Sequence, residues 1–265
     1  LAKADKVKYF EEKAKRMGLN SFKTFNITPE WKNKQPFQDS THIERIIQSN
    51  TVYAAMIASM DENIGRIIDE LKRLGLYENT IIIFTSDNGG LSTSEGSPTA
   101  NLPLRGGKGF TYEGGIREPL IVRIPHMENA GNRCDSMVIS TDYYPTILEM
   151  TGSSLHPEQH LDGISFFPLL KNEKRNYRDA IYWHYPHYSN QGGRPSGAIR
   201  MGSYKLLQFY DTGELELYDL SKDLSEKENL KDSEPELTER LLNKLENWRT
   251  SVNADMPIKN TKVHD

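Results

Sequence analysis

Two segments of the chain combine residue types that suit the binding of a cation and an anion. The first is Phe84–Gly90, where Asp87 and Asn88 follow a short apolar run and precede two glycines. A carboxylate beside an amide oxygen offers two hard oxygen ligands, which Ca²⁺ and Mg²⁺ prefer. Asp-Asn-Gly is also ordinary turn chemistry. This motif taken alone favours a strand-ending turn over a metal site.

The second segment is Leu104–Pro119, in which five glycines surround Lys108, with Arg105 and Arg117 nearby. A flexible backbone around an ammonium group can cradle an oxyanion. It is not a nucleotide-binding P-loop, because neither Ser nor Thr follows the Gly-Lys pair. A surface loop with solvated charges is the alternative interpretation. A loop this long inside a compact domain favours a functional role.

A third segment, Trp183–Tyr188, places His184 and His187 among aromatic residues, and Arg194 follows shortly after. Aromatic rings with imidazole and guanidinium groups suit a sugar or sulfate subsite. A buried strand end and a structural aromatic cluster are the alternatives. A metal site is not expected there, because His-x-x-His supplies only two ligands.

The elements that carry these segments have an α/β pattern. Apolar residues at helical spacing predict helices over residues 3–17 and 50–74. The β-branched run Thr80–Phe84 predicts a strand that is buried on both faces. In a parallel sheet, ligands gather beyond the carboxyl ends of such strands, which is where the first segment lies. Further strands are predicted over 120–124 and 137–139, with a helix over 141–150 and a long connection over 19–40.

The composition changes near residue 172, and the remaining sequence predicts a small antiparallel sheet covered by one helix. Four short strands separated by turn residues are predicted over 180–183, 198–201, 204–209 and 214–218. A leucine-rich stripe after Pro235 predicts the terminal helix. We therefore divide the chain into residues 1–172, part of a large α/β domain, and residues 173–265, a small α+β subdomain.

Composition excludes several classes of protein. The 265 residues carry 33 Lys and Arg against 37 Asp and Glu, a formal net charge of -4, which argues against a nucleic-acid binder. No stretch approaches the roughly 20 apolar residues of a membrane span. The single cysteine, Cys134, excludes an intrachain disulfide bond.

Taken together, the motifs resemble type I sulfatases, the formylglycine-dependent arylsulfatase family of the alkaline phosphatase superfamily. Each matching stretch is weak alone, but their order and spacing are specific. The stretches span residues 53–65, 84–90, 104–119, 140–146, 161–165, 216–220 and 228–230.

The resemblance implies an alkaline phosphatase-like α/β fold: a large sheet between helices, present here in part, and a small C-terminal antiparallel four-stranded sheet with a helix. It implies that Asp87 and Asn88 bind Ca²⁺, with Mg²⁺ as an alternative. It also implies that Lys108 contacts the sulfate oxygens and steadies charge on the leaving oxygen. We predict that four further side chains bind substrate: Arg105, His184, His187 and Arg194.

One departure from the family pattern is large. The family's nucleophile lies in a Cys/Ser-x-Pro-x-Arg motif, which this sequence lacks, and Cys134 has the wrong residues after it. The family's N-terminal acidic metal ligands are also missing, and His42 is not placed to replace an active-site histidine. We therefore expect the C-terminal portion of a longer sulfatase, whose N-terminal half supplies the formylglycine. The chain alone should be inactive and should expose apolar surface unless that half is bound.

The expected substrate is a sulfated small molecule or glycan, and by family analogy the expected location is periplasmic or secreted. One alternative is a phosphodiesterase or phosphonate hydrolase of the same superfamily. Two-metal members of that fold prefer Asp-His at the strand end, so Asn88 favours one cation and a sulfate ester. The other alternative is a non-catalytic module that binds sulfated glycans, for which the missing nucleophile motif is the support.

Overall fold

The computed structural model describes residues 2–27, 43–128, 130–173 and 178–258. Its N-terminal part is built on two helices, α1 (Ala4–Arg16) and α2 (Thr51–Arg73), which pack together. The side chain of Asn50 caps α2 by accepting a hydrogen bond from the Tyr53 backbone N–H at 3.0 Å. Both predicted helices are confirmed. No helix in the described part of the chain is both long and apolar enough to cross a membrane.

Two short antiparallel ribbons accompany these helices. Strand β1 (Phe25–Ile27) pairs with β2 (Ile43–Arg45), and β3 (Ile82–Thr85) pairs with β4 (Leu120–Arg123). Strand β1 lies within the predicted connection over 19–40. Residues 28–40 of that connection, and His42, lie outside the described residues.

The predicted strand at 80–84 exists, but its predicted parallel, fully buried setting is wrong. Residues 82–84 are half-buried, and the 86–119 segment returns the chain so that β4 runs antiparallel beside β3. Within the described residues, no third strand and no helix layer completes the burial of this two-stranded ribbon.

The strand predicted over 137–139 is also wrong. The backbone N–H of Ile139 donates to the Asp142 carboxylate at 2.9 Å, so a side chain takes the bond that a sheet would use. A 3₁₀ turn over Ser140–Asp142 leads into α4 (Tyr143–Met150), which confirms most of the helix predicted there. The two remaining short helices are α3 (Glu113–Ile116) and α5 (Phe167–Leu170).

The C-terminal sheet confirms the predicted meander. Its strands lie in chain order, each antiparallel to the next: β5 (Ala180–Tyr185), β6 (Ser196–Met201), β7 (Tyr204–Phe209) and β8 (Leu215–Asp219). Helix α6 (Pro235–Ser251) covers one face. The core on that face comprises Ile199, Leu206, Leu217, Leu241 and Leu245, all with no exposed surface.

The opposite face of the same sheet is covered by the glycine-rich segment. Phe110 and Tyr112 from that segment join a buried cluster with Leu207, Phe209 and Tyr218 from the sheet. The segment and the C-terminal sheet therefore share one hydrophobic core. The boundary between residues 172 and 173 stays a prediction, and this core spans it.

Candidate functional site

Asp87 and Asn88 lie where the sequence places them, in the turn after β3. The Asp87 side chain is exposed, and Asn88 is half-buried. The hydroxyl of Ser86 donates a hydrogen bond to the Asn88 carbonyl oxygen at 2.9 Å, which orders this turn. The carboxylate and the amide therefore stand at the open end of the strand.

Glu118 is a third oxygen donor near this turn, and sequence reasoning missed it. It lies just before Leu120, which pairs with Thr85 across the ribbon. Its Oε1 atom is buried and has no hydrogen-bond partner among the described residues. Burial raises the pKa of Glu118, and the negative charge of Asp87 raises it further. The sequence offered one sign of this donor: Glu118 is an acidic residue just before β4, the strand that pairs with β3.

The donor chemistry of this turn fits a hard divalent cation. Carboxylate and amide oxygens are the ligands that Ca²⁺ and Mg²⁺ take, and the buried Glu118 oxygen, which has no partner in the described part of the chain, is a polar atom that a bound ion or a water would satisfy. Within the described ranges, however, no three His, Cys, Asp or Glu side chains gather closely enough to hold a metal ion. The turn could therefore supply only part of a coordination sphere.

The glycine-rich segment is joined to this turn through the backbone. The N–H of Gly89 donates to the Gly115 carbonyl at 3.1 Å, and the N–H of Lys108 donates to the Gly90 carbonyl at 3.2 Å. The approach is so close that a Cβ on Gly89 would lie 1.7 Å from the carbonyl oxygen of Gly114. The structure thus brings the Asp87–Asn88 turn and the Lys108 segment together.

A side chain that the sequence did not single out strengthens this junction. The amide of Asn101 donates to the Gly90 carbonyl at 2.7 Å and to the Gly106 carbonyl at 2.9 Å. It therefore ties both segments at once. Lys108 itself is exposed, so its ammonium is available to a ligand.

The third predicted segment reaches the neighbourhood of Lys108. The Thr93 hydroxyl donates to the Gln191 carbonyl at 2.7 Å. Gly193 packs against Gly109, where a Cβ would lie 1.8 Å from the Gly109 carbonyl oxygen. The loop after β5 therefore forms a wall beside the residue that follows Lys108.

The Arg105 side chain makes contacts within the protein. Its guanidinium stacks over the Tyr112 ring at 3.9 Å and donates to the Tyr218 hydroxyl at 3.0 Å and to the Glu226 carbonyl at 2.9 Å. These contacts join the glycine-rich segment to the C-terminal part of the chain. Substrate binding by Arg105 stays a prediction, and these contacts show that the residue also has a structural role.

His184 and Arg194 are held in a similar way. The His184 ring nitrogens lie 2.8 Å from the Tyr210 hydroxyl and 2.8 Å from the Asp255 carbonyl oxygen. Arg194 pairs with Asp211 at 2.7 Å. By contrast, His187 is exposed and packs edge-on against the ring of Tyr185. The three predictions of substrate binding stay untested, and the geometry favours His187.

Two family models match the chain. Residues 13–153 match the model described as Sulfatase, and residues 107–251 match the model described as N-sulphoglucosamine sulphohydrolase, C-terminal. The two matches overlap over residues 107–153, which include most of the glycine-rich segment.

The chain is similar to proteins that are much longer. A sulfatase of Formosa agariphila is 36% identical over 229 residues, covering 78% of this chain and 41% of that protein. The structure of BT4656 in complex with its substrate D-glucosamine-2-N,6-O-disulfate matches with a TM-score of 0.66 and 31% identity, over 78% of this chain and 41% of its own. The phosphonate monoester hydrolase of Agrobacterium radiobacter matches with a TM-score of 0.57 and 27% identity, over 76% of this chain and 41% of that enzyme. The chain thus spans about two fifths of the length of these relatives.

Proposed function

Because the chain belongs to the sulfatase family, we propose that it forms the C-terminal part of a sulfuric ester hydrolase and carries about half of its active site. The observation that carries this proposal is the backbone junction between the Asp87–Asn88 turn and the Lys108 segment. This junction brings the backbone of Lys108 beside the turn that follows β3, which supports a shared site for the Asp87 carboxylate, the Asn88 amide and the exposed Lys108 ammonium.

The chemistry of sulfuryl transfer explains why these groups belong together. Charge grows on the leaving oxygen and the peripheral oxygens, so preorganised positive groups stabilise the transition state. We assign Lys108 to the sulfate and leaving oxygens. Asp87 and Asn88 would hold Ca²⁺, which polarises sulfate oxygens and lowers the pKa of the nucleophile when bound. Losing one such positive contact typically costs about 10²–10³ in rate.

The nucleophile and the remaining metal ligands belong, in this proposal, to a further part of a longer polypeptide. Support comes from the 41% coverage of the relatives and from apolar side chains that the described residues leave exposed. Ile67 on α2 is 63% exposed, and Ile121 on β4 is 62% exposed. A two-stranded ribbon with an open apolar face is marginally stable at best in water. The formylglycine-bearing part would cover this face.

The proposed substrate is a sulfated sugar, and the proposed location is periplasmic or secreted. Support for the sugar comes from the disulfated glucosamine that BT4656 binds and from the matching model of an N-sulphoglucosamine sulphohydrolase. The exposed His187 lies in the wall beside the Lys108 segment and could contact the sugar. Imidazole and aromatic groups suit such a contact.

A phosphonate hydrolase is the second candidate, because the Agrobacterium radiobacter enzyme has a similar structure. Asn88 argues for the sulfatase, since two-metal phosphatases of this fold prefer histidine at that position. The discriminating assay compares hydrolysis of glucosamine 6-O-sulfate with hydrolysis of an aryl phosphonate monoester by the longer polypeptide. We expect faster turnover of the sulfate ester. Preference for the phosphonate would overturn the proposal, and binding of the sugar without turnover would indicate a non-catalytic glycan module.

The role of Lys108 is tested in the same assay with Lys108→Ala. We expect turnover to fall about 10²–10³-fold. Lys244→Ala is the matched control, because Lys244 is an exposed lysine on α6 outside the site, and its loss should leave turnover unchanged. Equal turnover in the two variants would contradict the assignment.

A further inference from the structure

A buried ionic network lies beneath the glycine-rich segment. The Lys205 ammonium contacts the Glu113 carboxylate at 3.0 Å and the Glu226 carboxylate at 2.8 Å. Lys205 and Glu226 have no exposed surface, and Glu113 is 1% exposed. The second oxygen of Glu226 accepts a hydrogen bond from the Glu113 backbone N–H at 2.7 Å. These three residues form a closed triad.

The triad joins three parts of the chain that are far apart in sequence. Glu113 opens α3 inside the glycine-rich segment, Lys205 lies on β7, and Glu226 follows β8. Lys205 shares its face of β7 with Leu207, and Leu207 belongs to the same buried cluster as Phe110 of the glycine-rich segment. Arg200, directly opposite Lys205 in the sheet, approaches Glu113 at 3.6 Å. The C-terminal sheet therefore binds the glycine-rich segment through ionic contacts as well as through apolar packing.

The triad is close to the proposed catalytic groups along the backbone. Gly114 and Gly115 follow Glu113 directly, and they make the contacts that fix Gly89 beside the Asp87–Asn88 turn. The Gly114 N–H donates to the Arg105 carbonyl at 2.8 Å, which closes the loop that carries Lys108. A shift of α3 would therefore move the turn and the lysine relative to each other.

Buried charges carry a large desolvation cost, so a triad like this adds little stability over well-packed apolar residues. Burial by itself raises the pKa of Glu113, but Lys205 and the two neighbouring arginines outweigh it, and the pKa is lowered overall. Glu113 is therefore held as a carboxylate at neutral pH. Burial raises the pKa of Glu226, against the opposing charge of Lys205. Hydrogen bonds to charged groups fix direction as well as spacing, which suits a positioning role.

We propose that Lys205, Glu113 and Glu226 are positioning residues that hold the Lys108 segment in register with the Asp87–Asn88 turn. This inference rests on the proposed sulfatase function. It assigns the C-terminal sheet a part in setting active-site geometry, although none of the three residues touches substrate.

The test is Lys205→Met, a neutral side chain of similar length, in the longer polypeptide. Misplacement of a catalytic group by about 1 Å costs on the order of 10²-fold in rate. We expect kcat to fall about 10–10²-fold with a smaller change in KM. We also expect faster hydrogen exchange in residues 105–118, with α6 still protected. The double variant Lys205→Met, Glu226→Gln leaves Glu113 with its arginine neighbours and should recover part of the lost kcat.

The matched control is Arg249→Met. Arg249 is also a buried cation, but it lies on α6 and donates to the Gln208 side chain of β7 at 2.7 Å, on the sheet face opposite the glycine-rich segment. It should leave exchange in residues 105–118 unchanged.

Normal kcat and exchange in Lys205→Met would overturn the inference while leaving the sulfatase proposal intact. Loss of protection over the whole C-terminal sheet would also overturn it, by showing a general stabilising role. If the unsubstituted polypeptide hydrolyses no sulfate ester, the function proposal fails. The exchange experiment then still decides whether the triad holds the segment.

Discussion

Gly89→Ala tests whether the two halves of the proposed site depend on one close backbone contact. The added Cβ would lie 1.7 Å from the Gly114 carbonyl oxygen and 2.9 Å from Gly115 Cα. Backbone atoms cannot rotate away, so the segments must separate by about 1 Å or more. Overpacking of this kind costs about 1–3 kcal/mol. For a chain of this size, the melting temperature should fall by about 2–12 °C.

The same separation should reduce sulfate-ester turnover of the longer polypeptide by on the order of 10²-fold. Gly65→Ala is the matched control, because Gly65 lies in α2 with nothing within 4 Å of its added Cβ. Alanine is the better helix former, so this control should gain about 1 kcal/mol. The reasoning would be refuted if Gly89→Ala melted and turned over substrate as the unsubstituted protein does.

Two further predictions concern the C-terminal sheet. Leu245→Ala removes most of a fully buried side chain between α6 and the sheet. The free energy of unfolding in urea titrations should fall by about 2–5 kcal/mol. The control Ile258→Ala, at an exposed position, should change it little. A hydrogen bond from the Ser221 hydroxyl lowers the pKa of Asp219. Asp219 therefore contributes stability above its unfolded pKa of about 3.9, and that stability is lost as pH falls through the lower folded value. Asp219→Asn should accordingly show a smaller acid-induced drop in the urea midpoint, and an unchanged acid slope would contradict this.

Much of the fold follows from local pattern. The meander over β5–β8 and its covering helix were predictable, because each strand alternates between faces and each turn has its own turn residues. The failures have physical causes outside the local sequence. The pattern at 137–139 predicts a strand, but the backbone N–H of Ile139 donates to the Asp142 carboxylate and is not available to a neighbouring strand. The ribbon at β3 reads as buried, yet the layer that would bury it is not among the described residues.

The site divides in the same way. The turn and the glycine-rich segment were recognisable from residue type and spacing. Backbone hydrogen bonds in the structure hold the two segments side by side. Residue type alone could not separate Arg194, which pairs with Asp211, from the exposed His187. The triad was missed because its members lie far apart in sequence. A lysine in an apolar face of β7 was the one local sign of it.

The most direct test of the central claim is calorimetric Ca²⁺ binding to the longer polypeptide and its variants. Asp87→Ala should bind Ca²⁺ at least about tenfold more weakly, because a carboxylate ligand is lost. Lys108→Ala should bind Ca²⁺ normally while losing turnover, because the lysine is assigned to the sulfate and not to the metal. Unchanged Ca²⁺ affinity in Asp87→Ala would contradict the assignment of this turn as a metal site.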